Sequence, residues 1–424
     1  MISISKLYCG ARAESDGLRY GHGRAADPAS LRPRSAAERR PIVVWNVTRT
    51  CNLRCVHCYT DSEARAYAGE LTTADGFHLL RDLAGFQVPA ILFSGGEPLA
   101  RRDLFELVAY ARSLQLRPTL STNGTLITPE VARRIKAAGF TYVGISLDGI
   151  GAVNDRFRGA AGAFEKALNA FRYCRHVGQR VGLRLTLTRH NAENLHAIFD
   201  LLEREGIDRA CFYHLVYAGR GRGIQGDDLS LAETRAALDV ILERTADFHR
   251  RGLNTEVLTV DNHADGPYLY LRLLREGSPR AQEVLALLQW NGGGMYSSGV
   301  GIGNVDFTGH VHADQFWSHR AFGNVRERPF SEIWTDTSDP LMAGLKARRP
   351  LLKGRCRKCR FLDACGGALR VRADLVHGDP WAPDPACYLT DEEIGLTPAD
   401  RAELAAAGET FPSPLATQKA VAHA

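Results

Sequence analysis

Cys51-Asn-Leu-Arg-Cys55-Val-His-Cys58 places three thiols in one short stretch, with gaps of three and two residues. Thiolates hold iron-sulfur clusters, and a four-iron cubane bound by only three of them keeps one iron open to a further ligand. An open iron does chemistry rather than storage. A zinc knuckle is the alternative, but it needs a fourth ligand, and His57 is badly placed beside Cys58. A second group lies near the other end: Cys356, Cys359 and Cys365 with gaps of two and five, then Cys387 after 21 more residues. Four thiols complete a ligand set for a structural zinc or for a second [4Fe-4S] cluster, and spacing alone leans to zinc. Cys174 on an apolar helix and Cys211 in a strand read as small buried hydrophobes.

The elements that must position these thiols begin at Pro41. Six short apolar runs follow, IVVWNV, AILFSGG, PTLSTNG, YVGISLDG, VGLRLTLT and ACFYHLVY, and each reads as a strand. Between them, apolar residues such as Leu195, Ile198, Phe199 and Leu202 recur at the spacing of one helix face. Gly139, Gly178 and Gly206 close helices, and Ser230 with Glu233 reads as a capping box. Strand-helix alternation predicts an α/β fold with parallel strands and right-handed crossovers, as an open sheet or part of a barrel. Sites in both lie beyond the carboxyl ends of the strands, where the motifs fall. The chain divides into an N-terminal extension or lid (1–40), a core (41–255), an irregular connecting segment (256–298), a second domain rich in Gly, His, Trp and Cys (299–396) and a frayed tail (397–424).

With 424 residues, 45% hydrophobic and 24% charged, the chain can bury a large core. No apolar run is long enough for a membrane span, and the start MISISKLYCG lacks a secretory signal, so the cytoplasm is expected. Ten cysteines in such a chain point to metal or redox chemistry. A formal charge of +5 without a dense basic block gives no sign of nucleic-acid binding, and suits a carboxylate-bearing small substrate.

The three-thiol loop after the first strand, followed by Ser94-Gly95-Gly96-Glu97-Pro98 after the second, resembles the radical S-adenosylmethionine (radical SAM) superfamily. The resemblance implies that S-adenosylmethionine chelates the open iron and is split by an electron to a 5'-deoxyadenosyl radical. It implies a partial (β/α)6 barrel, with Glu97 helping to hold the methionyl amino group and Gly95 and Gly96 allowing close approach of backbone to ligand. Ser121, Asn123, Ser146, Asp148 and Arg184 are similar to ligand-contacting positions, and Arg158 to an arginine aimed at the methionyl carboxylate. Strand-end Ser and Asn equally cap helices, and a lone Arg is usually a surface residue. The later cysteines resemble the smaller C-terminal iron-sulfur domain, of twitch or SPASM type, that follows many such cores. With no cysteine between Cys211 and Cys356, one auxiliary [4Fe-4S] cluster is expected there.

Phrases such as SKLYCG, FYHLVYAGRGRG, VDNHADGPYLYLRL and GHVHADQFW resemble the haem-biosynthesis group of radical SAM enzymes. That implies a sirohaem-derived tetrapyrrole substrate, a reductant such as flavodoxin or ferredoxin, and removal of acetate side chains from didecarboxysirohaem. Removal of propionates in haem d1 synthesis is the near alternative. A peptide-modifying radical SAM/SPASM enzyme and a non-catalytic zinc-ribbon or electron carrier are the others. Arginine forks suit carboxylates, so Arg220 and Arg222 are candidate grips, though AGRGRG equally reads as a solvated loop. The catalytic residue stays open among His214, Arg220 and His263, with His312, His319, Tyr217, Gln315 and Trp317 as further cavity candidates.

Overall fold

A computed structural model describes residues 1–21, 36 and 39–415. Ten strands form one sheet: β1 (Ile2–Ser3), β2 (Ile42–Asn46), β3 (Ile91–Ser94), β4 (Pro118–Thr122), β5 (Tyr142–Ser146), β6 (Val181–Leu187), β7 (Arg209–His214), β8 (Glu256–Val260), β9 (Ile302–Val305) and β10 (Val311–His312). Their order is β1-β8-β7-β6-β5-β4-β3-β2-β9-β10. From β9 through β2 to β8 every pairing is parallel, while β1 and β10 add antiparallel edges.

The six expected strands are β2 to β7, and a helix follows each one: Thr73–Gly85, Leu104–Ser113, Pro129–Ala138, Ala163–His176, Leu195–Glu205 and Leu231–Arg250. This is six βα units in spatial sequence, the partial barrel that the resemblance implied. The open edges keep the sheet from closing. The caps act as their side chains require: Ser230 accepts from Glu233 N while Glu233 returns a bond to Ser230 N, and Gly139 and Gly206 sit left-handed at helix ends. Trp45, Phe93, Phe199 and Phe212 are fully buried between the sheet and these helices.

Three segments differ from the sequence reading. Residues 256–260, read as the start of an irregular connection, are β8; helices Asp265–Arg275 and Ala281–Asn291 follow it. The run EVLTV is buried at every position, so it lacks the polar alternation that marks a half-exposed strand. The opening residues, read as an extension or lid, begin with β1 paired to β8, and Ile2, Ile4, Leu7 and Tyr20 are buried. Arg19, Arg180 and Arg209 converge on the buried Glu256 carboxylate and tie this segment to the base of the sheet. Residues 22–35, 37 and 38 of the expected lid lie outside the described residues. At the other end, Pro398–Ala406 is a helix capped by Thr397 and Asp400 rather than a frayed tail, and Lys358 pairs with Glu403 across to it. Residues 416–424 lie outside the described set.

Candidate active site

The cysteine loop leaves β2 and is held from several sides. Cys51 N donates to Glu63 O at 3.0 Å and Val56 N to Phe157 O at 3.0 Å. Arg220 closes it: Nε donates to Cys55 O at 2.8 Å, Nη2 to Ser62 O at 3.0 Å, and Nη1 meets Asp61 at 2.8 Å. A Cβ on Gly219, whose φ is 54°, would stand 2.4 Å from Cys58 O. The AGRGRG loop is thus a clamp on the thiol loop. Arg220, expected to grip substrate or act in catalysis, has its guanidinium occupied there, while Arg222 is exposed.

The SGGEP loop packs against the same stretch. Gly96 N donates to Thr48 O and Glu97 N to Thr50 O. A Cβ on Gly95, at φ 130°, would lie 2.3 Å from Thr48 O, and one on Gly96 would lie 2.3 Å from Thr50 O. The close approach that demands glycine here is to the backbone entering the cysteine loop. Glu97 is fully buried and accepts from Leu99 N at 3.1 Å, Thr122 Oγ1 at 2.7 Å and Asn123 N at 2.8 Å. Its carboxylate braces β3 to β4, and it stands behind the cleft wall rather than in it. Burial pushes its pKa up, against the pull of those bonds.

Above the carboxyl ends of the strands lies a cleft of about 1080 Å3, its open mouth included. Cys51, Cys55 and Cys58 line it with Gly95, Gly96, Ser121, Asn123, Ser146, Arg158, Arg184 and His214. Arg184 donates to Ser121 Oγ at 2.7 Å and lies 4.9 Å over the Tyr213 ring. Arg158 is ion-paired with Asp148 and reaches Cys55 Sγ at 3.7 Å. Asp148 is fully buried; its Oδ1 accepts from Thr186 N at 2.7 Å, so it too stands behind the wall and orients Arg158.

The three sulfurs already receive polar neighbours: Leu53 N at 3.4 Å from Cys51, Ser62 N at 3.5 Å from Cys58, and Arg158 at Cys55. Such contacts stabilise thiolates and tune a cluster. Burial pushes the Cys51 thiol up to about 12 and raises Cys55, and ligation, which needs thiolates, releases those protons. A cubane takes one thiolate per iron, and three thiolates in one loop leave the fourth iron open. The donor set fits a cluster.

His214 Nε2 lies 2.9 Å from Asp265, which also accepts from Tyr388 OH at 2.7 Å. The hydrogen bonds and the charge of His214 hold Asp265 below its ordinary value in spite of its burial. His263 is buried and is not among the residues that line the cleft; burial and nearby cations drive its pKa far down. His312 bonds to Arg320 O and Asp306, and His319 to Asp374, and neither is among the residues that line the cleft. Tyr217 donates to Asp228, and Trp317 is fully buried; Gln315 and Phe316 are the residues of that region that line the cleft. Asp261 and Tyr213 also line it and were not singled out from the sequence. The signal for Asp261 was its place directly after the apolar run VLTV, at the carboxyl end of a strand.

Cys356, Cys359, Cys365 and Cys387 are gathered at one place, close enough that Cys365 feels the charge of the other three. Buried Arg372 ties this place to the cleft: it pairs with Asp384 at 2.9 Å and donates to Leu215 O at 3.2 Å and Asp261 O at 2.8 Å. Asp384 O in turn accepts from Cys387 N. Asn262 adds a bond to Ala386 O at 2.8 Å.

Three thiols in a loop beside the ends of a parallel half-barrel define a class, and residues 45–202 match the radical SAM superfamily. The chain belongs to that superfamily and is an enzyme of S-adenosylmethionine and a [4Fe-4S] cluster. More particularly, it is 57% identical over 398 residues to Fe-coproporphyrin III synthase of Methanosarcina barkeri, covering 93% of this chain and 99% of that one. It is 46% identical over 364 residues to pre-heme d1 synthase of Dinoroseobacter shibae, covering 85% and 90%. In fold it is similar to Streptococcus suis SuiB bound to precursor peptide SuiA, with a TM-score of 0.66, 20% identity, and 83% and 76% of the two chains covered. Among the described residues no helix is long and apolar enough to cross a membrane.

Proposed function

We propose that the enzyme removes acetate side chains from didecarboxysirohaem to give iron-coproporphyrin. The observation that carries this reading is the 57% identity, along nearly the whole length of both chains, to a protein named Fe-coproporphyrin III synthase. Propionate removal on the way to haem d1 is the second reading, favoured by the 46% identity to pre-heme d1 synthase.

Cys51, Cys55 and Cys58 would hold the cluster, with Arg158 and the Leu53 and Ser62 amides offsetting thiolate charge. Bound together, cluster and S-adenosylmethionine supply one-electron chemistry that begins with loss of hydrogen from a substrate carbon. Gly95, Gly96, Ser121, Asn123, Ser146 and Arg184 would form the S-adenosylmethionine cradle; Glu97 and Asp148 act through the strand ends and the arginine they orient. His214, held through Nε2 by Asp265, presents its imidazole at the cleft wall. Cys356, Cys359, Cys365 and Cys387 would hold a second [4Fe-4S] cluster in a C-terminal unit docked on the core. A flavodoxin or ferredoxin is the expected reductant. Ten free cysteines suit the reducing cytoplasm.

The test is an anaerobic incubation of reconstituted, reduced enzyme with S-adenosylmethionine and didecarboxysirohaem, with products read by mass spectrometry. Loss of two acetate-derived groups is expected. Loss of propionates moves the assignment to the d1 route, and deoxyadenosine with an unchanged macrocycle overturns both.

A further inference from the structure

Asp261 follows the last residue of β8 and lines the cleft. Its φ is 67°, one of five positive values at non-glycine residues in the described chain. Gln87 and Gln115 among these lie just past helix ends, where a left-handed residue is routine. Asp261 has no such excuse. Its carboxyl Oδ2 is also buried without a hydrogen-bond partner, so one residue carries both backbone strain and an unsatisfied polar atom. The arrangement is enforced: Arg372, locked by Asp384, donates to Asp261 O and fixes the strained peptide. Stability alone would replace this side chain by a neutral one, so the reason for keeping it lies in what occupies the cleft.

Burial pushes the Asp261 carboxyl up to about 6, against the pull of Arg372. Asp314, His214 from β7 and the Met1 amino group beside β1, which burial lowers to about 6, also face it. A substrate carboxylate brought into the same low-dielectric wall raises proton affinity further, because two carboxylates side by side share one proton. A bare Asp261 would repel a polycarboxylate; a protonated one donates to it.

Resting on the tetrapyrrole reading above, we propose that Asp261 is a substrate-binding residue whose protonated carboxyl donates a hydrogen bond to a side-chain carboxylate of the substrate. The test is anaerobic titration of the reconstituted full chain with didecarboxysirohaem, followed by its visible absorbance between pH 6 and pH 8.5. Asp261→Asn keeps a residue that tolerates the left-handed backbone and donates at every pH; Asp261→Gly removes the carboxyl and the strain together. Wild-type Kd is expected to rise about tenfold across that range, the scale of one hydrogen bond to a charged group. The Asn variant is expected to hold its Kd nearly constant. The Gly variant is expected to bind about tenfold more weakly than wild type at pH 6, by the same measure. Thermal midpoint and iron content report whether each variant is intact. Wild-type affinity in the Gly variant, or the same pH profile in wild type and Asn variant, overturns the proposal. If the Gly variant does not hold its iron, the Asn profile decides. Failure of every form to bind didecarboxysirohaem overturns the tetrapyrrole reading and this inference with it.

Discussion

The two cysteine sets are built in opposite ways. The first is local: eight residues, Cys51 to Cys58, form a loop that the SGGEP turn and Arg220 press into shape. The second is assembled from two short helices, Gly354–Lys358 and Leu362–Cys365, and a distant turn, with 21 residues between its last two thiols. The local loop faces the cleft directly, while the assembled set stands behind it and reaches the wall through Arg372, Asp384 and Asn262. A loop that must leave one iron open needs few ligands and much access. A set that encloses its group needs many ligands and a buried frame.

The largest expected effect tests the first half of this contrast. Cys55→Ala should remove reductive cleavage of S-adenosylmethionine, a fall of about 100-fold or more in deoxyadenosine formation, since three thiolates are the minimum for the site. Cleavage persisting at wild-type rate would end the distinction. For the second set, Cys387→Ala should lose about half of the iron bound by the reconstituted protein while deoxyadenosine formation survives, by the count of one cluster per set. Loss of both together would make the two sets one cooperative unit. Arg372→Met removes the cation from a fully buried pair and leaves Asp384 uncompensated, a cost of about 3 to 5 kcal/mol measurable from the urea midpoint. Glu97→Gln keeps only part of three accepted hydrogen bonds and should cost about 1 to 3 kcal/mol, with a raised KM for S-adenosylmethionine because the β3 and β4 ends shift. Arg220→Lys is the smallest: one ammonium cannot reproduce three directed bonds, and a loss of about 1 kcal/mol in stability is expected, with slower retention of iron in the first set.

Much of this was legible in the chain. The six strands and their helices follow from apolar runs alternating with one-faced helices, because both patterns are local. The βα order then leaves few topologies. The strand β8 was missed because burial on both faces erases alternation, and Asp261 was missed with it. Arg220 was misjudged for a different reason. Its composition fits a carboxylate grip, but the loop carrying it folds back on Cys55 and Ser62, and no spacing announces which backbone carbonyls an arginine will meet.

What the sequence by itself determined is the first thiol loop, the glycine-rich turn and the strand-helix units beneath them, since each depends on residues near one another in the chain, while the second thiol set was legible only as a spacing. Only the tertiary structure decided that Glu97 and Asp148 stand behind the wall, that Arg372 joins the second thiol set to the cleft, and that a strained carboxyl closes the end of β8. Those depend on where separate strands and helices end relative to one another. That placement is set by packing across the whole sheet rather than by any one segment.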